Sequence, residues 1–272
     1  MTFADRSPSL RSRPAGTAAF SKFIHLLQLV AESDHPCSVA ELVRLSGYPR
    51  ATVYRTVAGL VAERLLAPSL GEKTYVLGPR LIEFASRSWE QSELRRLAVV
   101  DLAALRDATG ETVHLAVPDD RKMVYIEKLE SPSAVRMASR IGSSVSMHSS
   151  AVGKAYLAAL NEATCERILQ RLEFPRYTPN TVGSTEALRE QLAAVRTRGW
   201  SQDEEENEDG IFCFGAAIVD ASGRPVAAVS VSTLRFRQRP DPMQAYVMPL
   251  RTACAAISRR IARVPAADRT VA

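Results

Sequence analysis

Cysteine and histidine are scarce in this sequence, with four of each among 272 residues. No two cysteines form a C-x-x-C pair, which excludes the usual disulfide and zinc frameworks and favours reduced thiols in a cytoplasmic protein. No stretch approaches the roughly 18 consecutive apolar residues of a membrane-spanning helix, so no membrane partner is expected. Residues 1–16 carry three arginines and no long apolar run, which predicts a flexible basic arm and not a signal peptide.

Motifs for common enzymatic chemistry are also absent. There is no G-x-S-x-G nucleophile elbow, and the sequence after Gly142 lacks the frame of a phosphate-binding loop. The histidines are spread singly, so we predict no metal site and no cofactor. Cys213 and His148 would be the nucleophile and base of an enzyme, but their spacing does not favour that assignment. No catalytic residues are therefore predicted.

Positive charge is concentrated towards the start of the chain. Residues 1–80 contain ten Lys or Arg against six Asp or Glu, whereas residues 81–272 contain 25 against 24. Four of the five net positive charges thus belong to the first 80 residues. Because contacts of cations with phosphate dominate affinity for nucleic acids, this asymmetry favours DNA binding by that part.

Residues 38–66 have the pattern of a helix-turn-helix. Ser38 and Glu41 form a capping box that predicts a helix start, Gly47 supplies turn geometry, and Pro49 suits the start of a second helix. The predicted inward face of this second helix consists of Val53, Val57, Leu60 and Val61. Its predicted outward face consists of Ala51, Thr52, Arg55, Ala58, Gly59 and Ala62.

Flanking segments extend this pattern to a winged helix-turn-helix over residues 17–79. An upstream helix is expected to contribute Phe20, Phe23, Ile24, Leu27 and Val30 to the core. Downstream, residues 65–67 and 74–77 read as the strands of a hairpin wing, with Lys73 near its tip. Residues 80–93 read as a linker helix, in which Phe84 and Trp89 are expected to pack on a partner chain or the neighbouring domain.

Residues 94–264 alternate helical and strand-like segments, and tight turns join paired strands. This arrangement predicts an α+β domain with a largely antiparallel sheet, followed by a tail at 265–272. The predicted strands cover 112–117, 123–128, 215–220 and 225–233. Helices are predicted from 94 to the glycine at 110 and over 151–160, 162–172, 185–197 and 241–261.

Three segments resemble the IclR family of bacterial transcriptional regulators. They are SGYPRATVYRTVAGL at 46–60, MHSSAVGKA at 147–155 and GWSQDEEENEDGIFCFGAAI at 199–218. The resemblance covers residues 18–263 and implies a C-terminal domain, similar to GAF and profilin-like sensor folds, that binds a small effector molecule. It also implies a homodimer or homotetramer that binds a pseudo-palindromic operator on double-stranded DNA, as a repressor or an activator of a catabolic operon.

The resemblance implies which side chains face DNA. The second helix would enter the major groove with Arg55 as the reader of base edges, since bidentate Arg–guanine pairs are the commonest specific contact. Arg50, Thr52 and Tyr54 would hold that helix on phosphates, and Lys73 would reach the DNA backbone from the wing.

The family's effector pocket corresponds to Ala151, Val152, Gly153, Asp203, Cys213, Ser230 and Ser232. Local chemistry agrees, because Ser230 and Ser232 project from one face of a strand and free amides at a helix start near Ala151 suit a carboxylate. We therefore expect a small organic acid. Phe212 and Phe214 stand where many relatives carry smaller or basic residues, which favours an aromatic or bulkier acid.

Several alternatives are open from the residues alone. The acidic run at 203–209 is expected to be a solvated loop, apart from Asp203 and, as a second candidate, Glu204. Ser230 and Ser232 could bond across the sheet, and Cys213 could be a small buried apolar residue. A winged helix can also serve dimerisation in a methyltransferase, although no nucleotide-binding loop is found, or act in an adaptor that binds no DNA.

Overall fold

The structure is a computed structural model that describes residues 17–70 and 73–264. The chain divides into two compact units, 1–91 and 92–272. The predicted basic arm at 1–16 and the tail at 265–272 lie outside the described residues, and the predicted domain boundaries stay a prediction.

The first unit is a winged helix-turn-helix, as predicted. Its helices are α1 (Ala18–Ala31), α2 (Val39–Ser46), α3 (Arg50–Ala62) and α4 (Arg80–Gln91), and its strands are β1 (Cys37–Ser38), β2 (Leu66–Pro68) and β3 (Thr74–Leu77). Strand β3 is central and pairs antiparallel with β1 and with β2. Strands β2 and β3 form the predicted wing.

Local signals account for the turn between α2 and α3. The Ser38 hydroxyl accepts a hydrogen bond from the Glu41 amide at 3.2 Å, and the Glu41 carboxylate accepts one from the Ser38 amide at 2.9 Å. Helix α2 ends at Gly47, whose φ of 66° is a left-handed conformation that glycine adopts without strain. Pro49 directly precedes α3.

The packing of α3 differs from its predicted faces at three positions. Thr56 is buried and Val61 is only half-buried, so the inward stripe lies slightly to one side of the predicted one. Gly59 does not face outward, because a Cβ atom there would lie 2.9 Å from the ring of Phe23. A glycine at this position lets α1 approach α3 closely.

The prediction for α1 was wrong in part. Leu26 is fully buried, whereas Phe20 and Ile24 are 65% and 44% exposed. Val30 is buried and Leu27 is half-buried, as the pattern predicted. Apolar residues cover a wide part of this helix surface, so the sequence pattern could not show which of them are buried in the domain.

The second unit is an α+β domain, as predicted. Its helices are α5 (Glu93–Thr109), α6 (Ala151–Ala159), α7 (Glu162–Leu169), α8 (Thr185–Arg198) and α9 (Met248–Ala262). Its strands are β4 (Thr112–Asp119), β5 (Lys122–Leu129), β6 (Ser144–Ser146), β7 (Ser201–Glu204), β8 (Ile211–Val219) and β9 (Pro225–Leu234). The described strands form one antiparallel sheet in the order β6-β5-β4-β9-β8-β7.

Helices cover both faces of this sheet. Helices α5 and α9 pack on one face against residues that include Val229 and Val231 of β9. Helices α6, α7 and α8 form a second apolar cluster with Ala116 of β4 and Ala228 of β9. The sheet therefore lies between two cores, and alternate residues of each strand belong to different ones.

Sequence patterns missed three short strands, β1 in the first unit and β6 and β7 in the second. Strand β7 has the sequence SQDE and contains no apolar residue, so hydrophobic alternation could not reveal it. The predicted helix at 241–261 is also divided, with a π-helical turn at Met243–Val247 before α9.

Candidate effector site and DNA-binding surface

The exposed face of α3 presents the side chains predicted to contact DNA. An Arg50 Nη atom donates to the Tyr54 hydroxyl at 3.3 Å, and the guanidinium lies 5.5 Å from the ring centroid. That hydrogen bond, with a smaller effect of Lys73, lowers the pKa of Tyr54. Arg55 and Lys73 are exposed and form no hydrogen bond or ion pair with any described residue. Thr52 is half-buried on the same helix.

A cavity of about 160 Å³ in the second unit is lined by the first residues of α6 and by strands of the sheet. Directly paired residues of antiparallel strands share a face. Asp203 of β7 is paired with Cys213 of β8, which is paired with Ser232 of β9. In the next row, Ser230 is paired with His114 of β4. The register of four strands thus assembles one wall of the cavity.

Six of the seven residues predicted to bind an effector line this cavity. They are Ala151, Val152, Asp203, Cys213, Ser230 and Ser232. Gly153 is not among the lining residues, and its amide donates to the Ser150 hydroxyl at 3.1 Å. A Cβ atom at Gly153 would lie 2.4 Å from the Cα atom of Met147, so no larger residue fits at this position. Effector binding by the main chain of Gly153 stays a prediction.

Other lining residues were not predicted. They include His114, Tyr125, Met137, Ser139, Ser150, Asn207 and Glu208. His114 could have been predicted from alternation along its strand, which puts it on one face with Thr112 and Ala116. Neither neighbour is a large apolar residue, so this face is not a typical apolar core face. Most of the others come from irregular loops, where sequence carries no periodic signal.

His114 is buried and uncharged at neutral pH. Its Nε2 lies 2.8 Å from the Ser139 hydroxyl, and its Nδ1 lies 3.5 Å and 3.4 Å from the hydroxyls of Ser230 and Ser232. Burial, with a contribution from the charge of Lys128, lowers the pKa of His114 to about 3. A neutral imidazole has one donor and one acceptor nitrogen, so it can link these hydroxyls in either tautomer.

Asp203 is a buried carboxylate at the edge of the same wall. Its Oδ1 accepts hydrogen bonds from the amides of Glu206 at 2.7 Å and Asn207 at 3.3 Å. Burial raises the pKa of Asp203 to about 7, although the nearby charge of Lys154 acts in the opposite direction. The carboxyl group therefore changes its charge close to physiological pH.

Asp203 is expected to make the stability of the second unit depend on pH. The pKa of Asp203 is about 7 in the folded state and 3.8 in its ordinary state. Ionisation of the buried carboxyl therefore lowers the free energy of unfolding, and this effect grows as pH rises from about 4 and is complete above 7. Asp203→Asn removes this contribution. We expect the stability gained from that substitution to be about 2 kcal/mol larger at pH 8 than at pH 5.5, measured by urea unfolding.

The exposed neighbour Glu204 supplies the control for this measurement. Glu204→Gln removes a carboxylate from the same strand without removing a buried charge, and its effect should be small at both pH values. A gain from Asp203→Asn that is equal at pH 5.5 and pH 8 would contradict the prediction.

A buried ion pair lies beneath this wall. Lys154 is completely buried, pairs with Glu206 and donates from Nζ to Gln191 Oε1 at 2.8 Å. The Oε2 atom of Glu206 is buried and has no hydrogen-bond partner among the described residues. The prediction that the acidic run is solvated is therefore wrong at Glu206. The second candidate of this run, Glu204, is exposed and does not line the cavity.

Phe212 and Phe214 do not face the cavity. Phe214 is 1% exposed and packs on the other face of the sheet, with ring centroids 5.5 Å from Tyr246 and 5.9 Å from Trp200. Alternation along β8 puts Phe212 on that same face, opposite to Cys213. The argument from these residues for an aromatic acid was therefore wrong.

Cys213 and His148 do not form a nucleophile–base pair. Cys213 Sγ donates to the Ser232 hydroxyl at 3.2 Å, and burial raises the pKa of the thiol well above its usual value. His148 instead bonds through Nε2 to the carbonyl of Pro175 at 3.2 Å. Within 17–70 and 73–264, no group of three potential metal ligands is found, and no helix has both the length and the apolar character needed to cross a membrane.

Comparison with known proteins relates both units to one family of regulators. Residues 87–259 match the family model described as bacterial transcriptional regulator IclR C-terminal, and residues 20–69 match the IclR helix-turn-helix domain. The transcriptional regulator KdgR of Dickeya chrysanthemi is 34% identical over 251 residues, which cover 92% of this chain and 81% of the relative.

Two further relatives agree with this result. The acetate operon repressor of Salmonella typhimurium is 31% identical over 237 residues, covering 83% of this chain and 86% of the relative. The crystal structure of Thermotoga maritima IclR is similar with a TM-score of 0.69 and 32% identity, covering 89% of this chain and 98% of that one.

Proposed function

The chain belongs to the IclR family of bacterial transcriptional regulators, and from this premise we propose that a small organic acid in the cavity of the second unit changes its affinity for a pseudo-palindromic operator. It is a DNA-binding transcriptional regulator with an effector-binding domain and not an enzyme. Family membership also sets aside the adaptor and methyltransferase interpretations.

The start of α6 is the observation that supports an acid. Amides in the first turn of a helix have no partner within the helix, and the helix dipole favours negative charge there. Ser150 satisfies the amide of Gly153, whereas Ala151 and Val152 line the cavity. The effector's carboxylate is proposed to bind the amides of Ala151 and Val152.

The DNA contacts of α3 and the wing are also proposed. Arg55 is the reader of base edges in the major groove, because it is exposed and not engaged by any other described residue. Arg50, Thr52 and Tyr54 hold the helix on phosphates. An Nη atom of Arg50 already donates a hydrogen bond to the Tyr54 hydroxyl at 3.3 Å. Lys73 contacts the DNA backbone from the wing.

A homodimer or homotetramer is proposed from exposed apolar residues of the first unit. Helix α4 buries none of its residues, and its Ile82 and Phe84 are 73% and 51% exposed. Phe20 of α1 is 65% exposed. Isolated chains would leave this surface in water, which favours its burial in an assembly of copies. Sedimentation equilibrium of the full chain measures the number of copies.

The proposed function predicts that an acid changes DNA affinity only through the cavity. The test uses an operator selected from a random duplex pool with the full chain, and fluorescence anisotropy with and without each acid of a panel. We expect at least one acid to shift operator affinity at least about 10-fold, within the usual range of allosteric coupling. The Salmonella relative, an acetate operon repressor, supports control of a catabolic operon here.

A variant of the cavity wall provides the control for this experiment. Ser230→Ala combined with Ser232→Ala changes the cavity without altering α3, so operator binding in the absence of acid should be unchanged while the response to acid falls. If no acid binds the full chain, or if the acid response is the same in this variant, the proposed function of the cavity is wrong.

A further inference from the structure

We propose that the effector carries hydroxyl groups along most of its carbon chain and that Asp203, Ser230 and Ser232 recognise these hydroxyls. This inference rests on the proposed effector role of the cavity and specifies the chemical class of its ligand. The carboxylate end would lie at α6, and the hydroxylated end would lie against the wall formed by β7, β8, β9 and β4.

The lining of the cavity is dominated by hydroxyl groups. Six serines line it, namely Ser139, Ser143, Ser144, Ser150, Ser230 and Ser232. No lysine or arginine is among the lining residues that the structure describes. Ser139, Ser143 and Ser150 already have hydrogen-bond partners in the protein. An apolar or aromatic ligand that displaced water would leave the hydrogen-bonding capacity of the other three serines unused, which costs about 1 to 3 kcal/mol for each group. A hydroxylated ligand would give each of them a partner.

Asp203 adds an acceptor that needs a donor on the ligand. Its Oδ1 is engaged by the amides of Glu206 and Asn207, whereas its Oδ2 has no hydrogen bond with any described residue. Because the pKa of Asp203 is about 7, its ionised form dominates above that pH, and an ionised carboxylate only accepts hydrogen bonds and repels a second carboxylate. A hydroxyl is the neutral donor that fits this oxygen, and the ligand's own carboxylate is directed to the other end of the cavity.

Ser230 and Ser232 retain hydrogen-bonding capacity for a ligand. Both hydroxyls approach the same nitrogen, Nδ1 of His114, at 3.5 Å and 3.4 Å. That nitrogen has either one proton or one in-plane lone pair, so it cannot satisfy both hydroxyls well. Each hydroxyl also has one donor and two acceptor positions. The pair can therefore exchange hydrogen bonds with neighbouring hydroxyls on one ligand chain.

The volume of the cavity agrees with a ligand of this kind. At roughly 30 Å³ for each water molecule, about 160 Å³ corresponds to about five waters. A ligand that displaces ordered waters has to reproduce their hydrogen bonds to maintain affinity. An acid of five or six carbons with a hydroxyl on most of them supplies about that number of replacement groups, whereas a two-carbon acid does not.

The test separates hydroxyls from the carboxylate by calorimetry with the full chain. The probes are six-carbon and five-carbon aldonates (gluconate, galactonate and xylonate), hexanoate, which has the carboxylate alone, and glucitol, which has the hydroxyls alone. Pyruvate and benzoate represent short and aromatic acids. We expect at least one aldonate to bind at least about 100-fold more tightly than hexanoate, because a site built for hydroxyls rejects analogues that lack them.

Asp203→Asn tests which residue recognises the hydroxyls. The amide oxygen of asparagine can keep the two loop hydrogen bonds, while its NH₂ group replaces the free acceptor. We expect a loss of about 10- to 100-fold in aldonate affinity and little change for hexanoate, with Glu204→Gln, at an exposed position of the same strand, as the matched control. Ser230→Ala with Ser232→Ala gives a second test that leaves Asp203 in place.

Each outcome distinguishes this inference from the proposed function. Binding of hexanoate, benzoate or pyruvate as tightly as the best aldonate would overturn the hydroxyl inference and leave an acid-sensing cavity. Binding of glucitol as tightly as the aldonates would support the hydroxyls and overturn the acid. If no probe binds, both are overturned. If neither Asp203→Asn nor the double serine variant changes the affinity for the aldonate, these residues do not recognise its hydroxyls.

Discussion

Lys154→Met is expected to destabilise the second unit by about 3 to 5 kcal/mol, the usual cost of removing one partner of a buried ion pair. Glu206 would be left buried without its cation, and burial already raises the pKa of its carboxyl, with Asp203 as a second carboxylate nearby. Urea unfolding followed by tryptophan fluorescence measures the loss. A Trp89→Phe background leaves Trp200 as the only tryptophan of the chain, so the signal reports on the second unit alone.

Two further variants show whether the loss arises from the buried charge. Lys154→Met combined with Glu206→Gln removes both charges and should recover most of the stability, because the cost comes from the unpaired carboxylate. Arg189→Met breaks the exposed pair with Glu166 and should cost less than about 1 kcal/mol. A loss from Lys154→Met no larger than that of Arg189→Met would show that the buried pair is not a major support of the acidic loop.

Arg55→Ala is expected to weaken operator binding by about 10- to 100-fold, because a bidentate Arg–base pair contributes about 1 to 3 kcal/mol of discrimination. On a scrambled duplex of the same length, the loss should stay within about threefold. Fluorescence anisotropy with both duplexes measures the two affinities. Arg55 is exposed on α3, so its substitution should leave the fold of the first unit unchanged.

Lys73→Ala is the matched comparison for Arg55→Ala. A phosphate contact from the wing should weaken both duplexes equally and reduce the slope of log affinity against log salt by about one. Equal losses on operator and scrambled DNA for Arg55→Ala would show that Arg55 contacts the backbone and does not read bases.

The first unit was largely predictable from sequence because its signals are local. The capping box joins Ser38 to Glu41 three residues later, and Gly47 and Pro49 act on the backbone at their own positions. Such features depend on few other residues. The role of Gly59 was not predictable, since a small outward residue and a close helix contact look alike until the partner Phe23 is in place.

The effector site was predictable only in part. Family resemblance identified six lining residues, but local pattern could not decide which face of β8 the cavity occupies. Alternation separates Cys213 from Phe212 and Phe214, and only the helices packed on each side determine that Phe214 enters the opposite core. Phe212 and Phe214 therefore do not bear on the choice of effector, and an aromatic acid stays an untested prediction.

Composition, periodicity and short-range caps are sufficient to specify the winged helix-turn-helix, the α+β class of the second unit and the bias of positive charge. Which groups share the cavity depends instead on long-range packing. Ser230 and His114 are separated by 116 residues, and Lys154 and Glu206 by 52. Strand register and helix packing bring them together, and the burial that follows shifts the pKa values of His114 and Asp203.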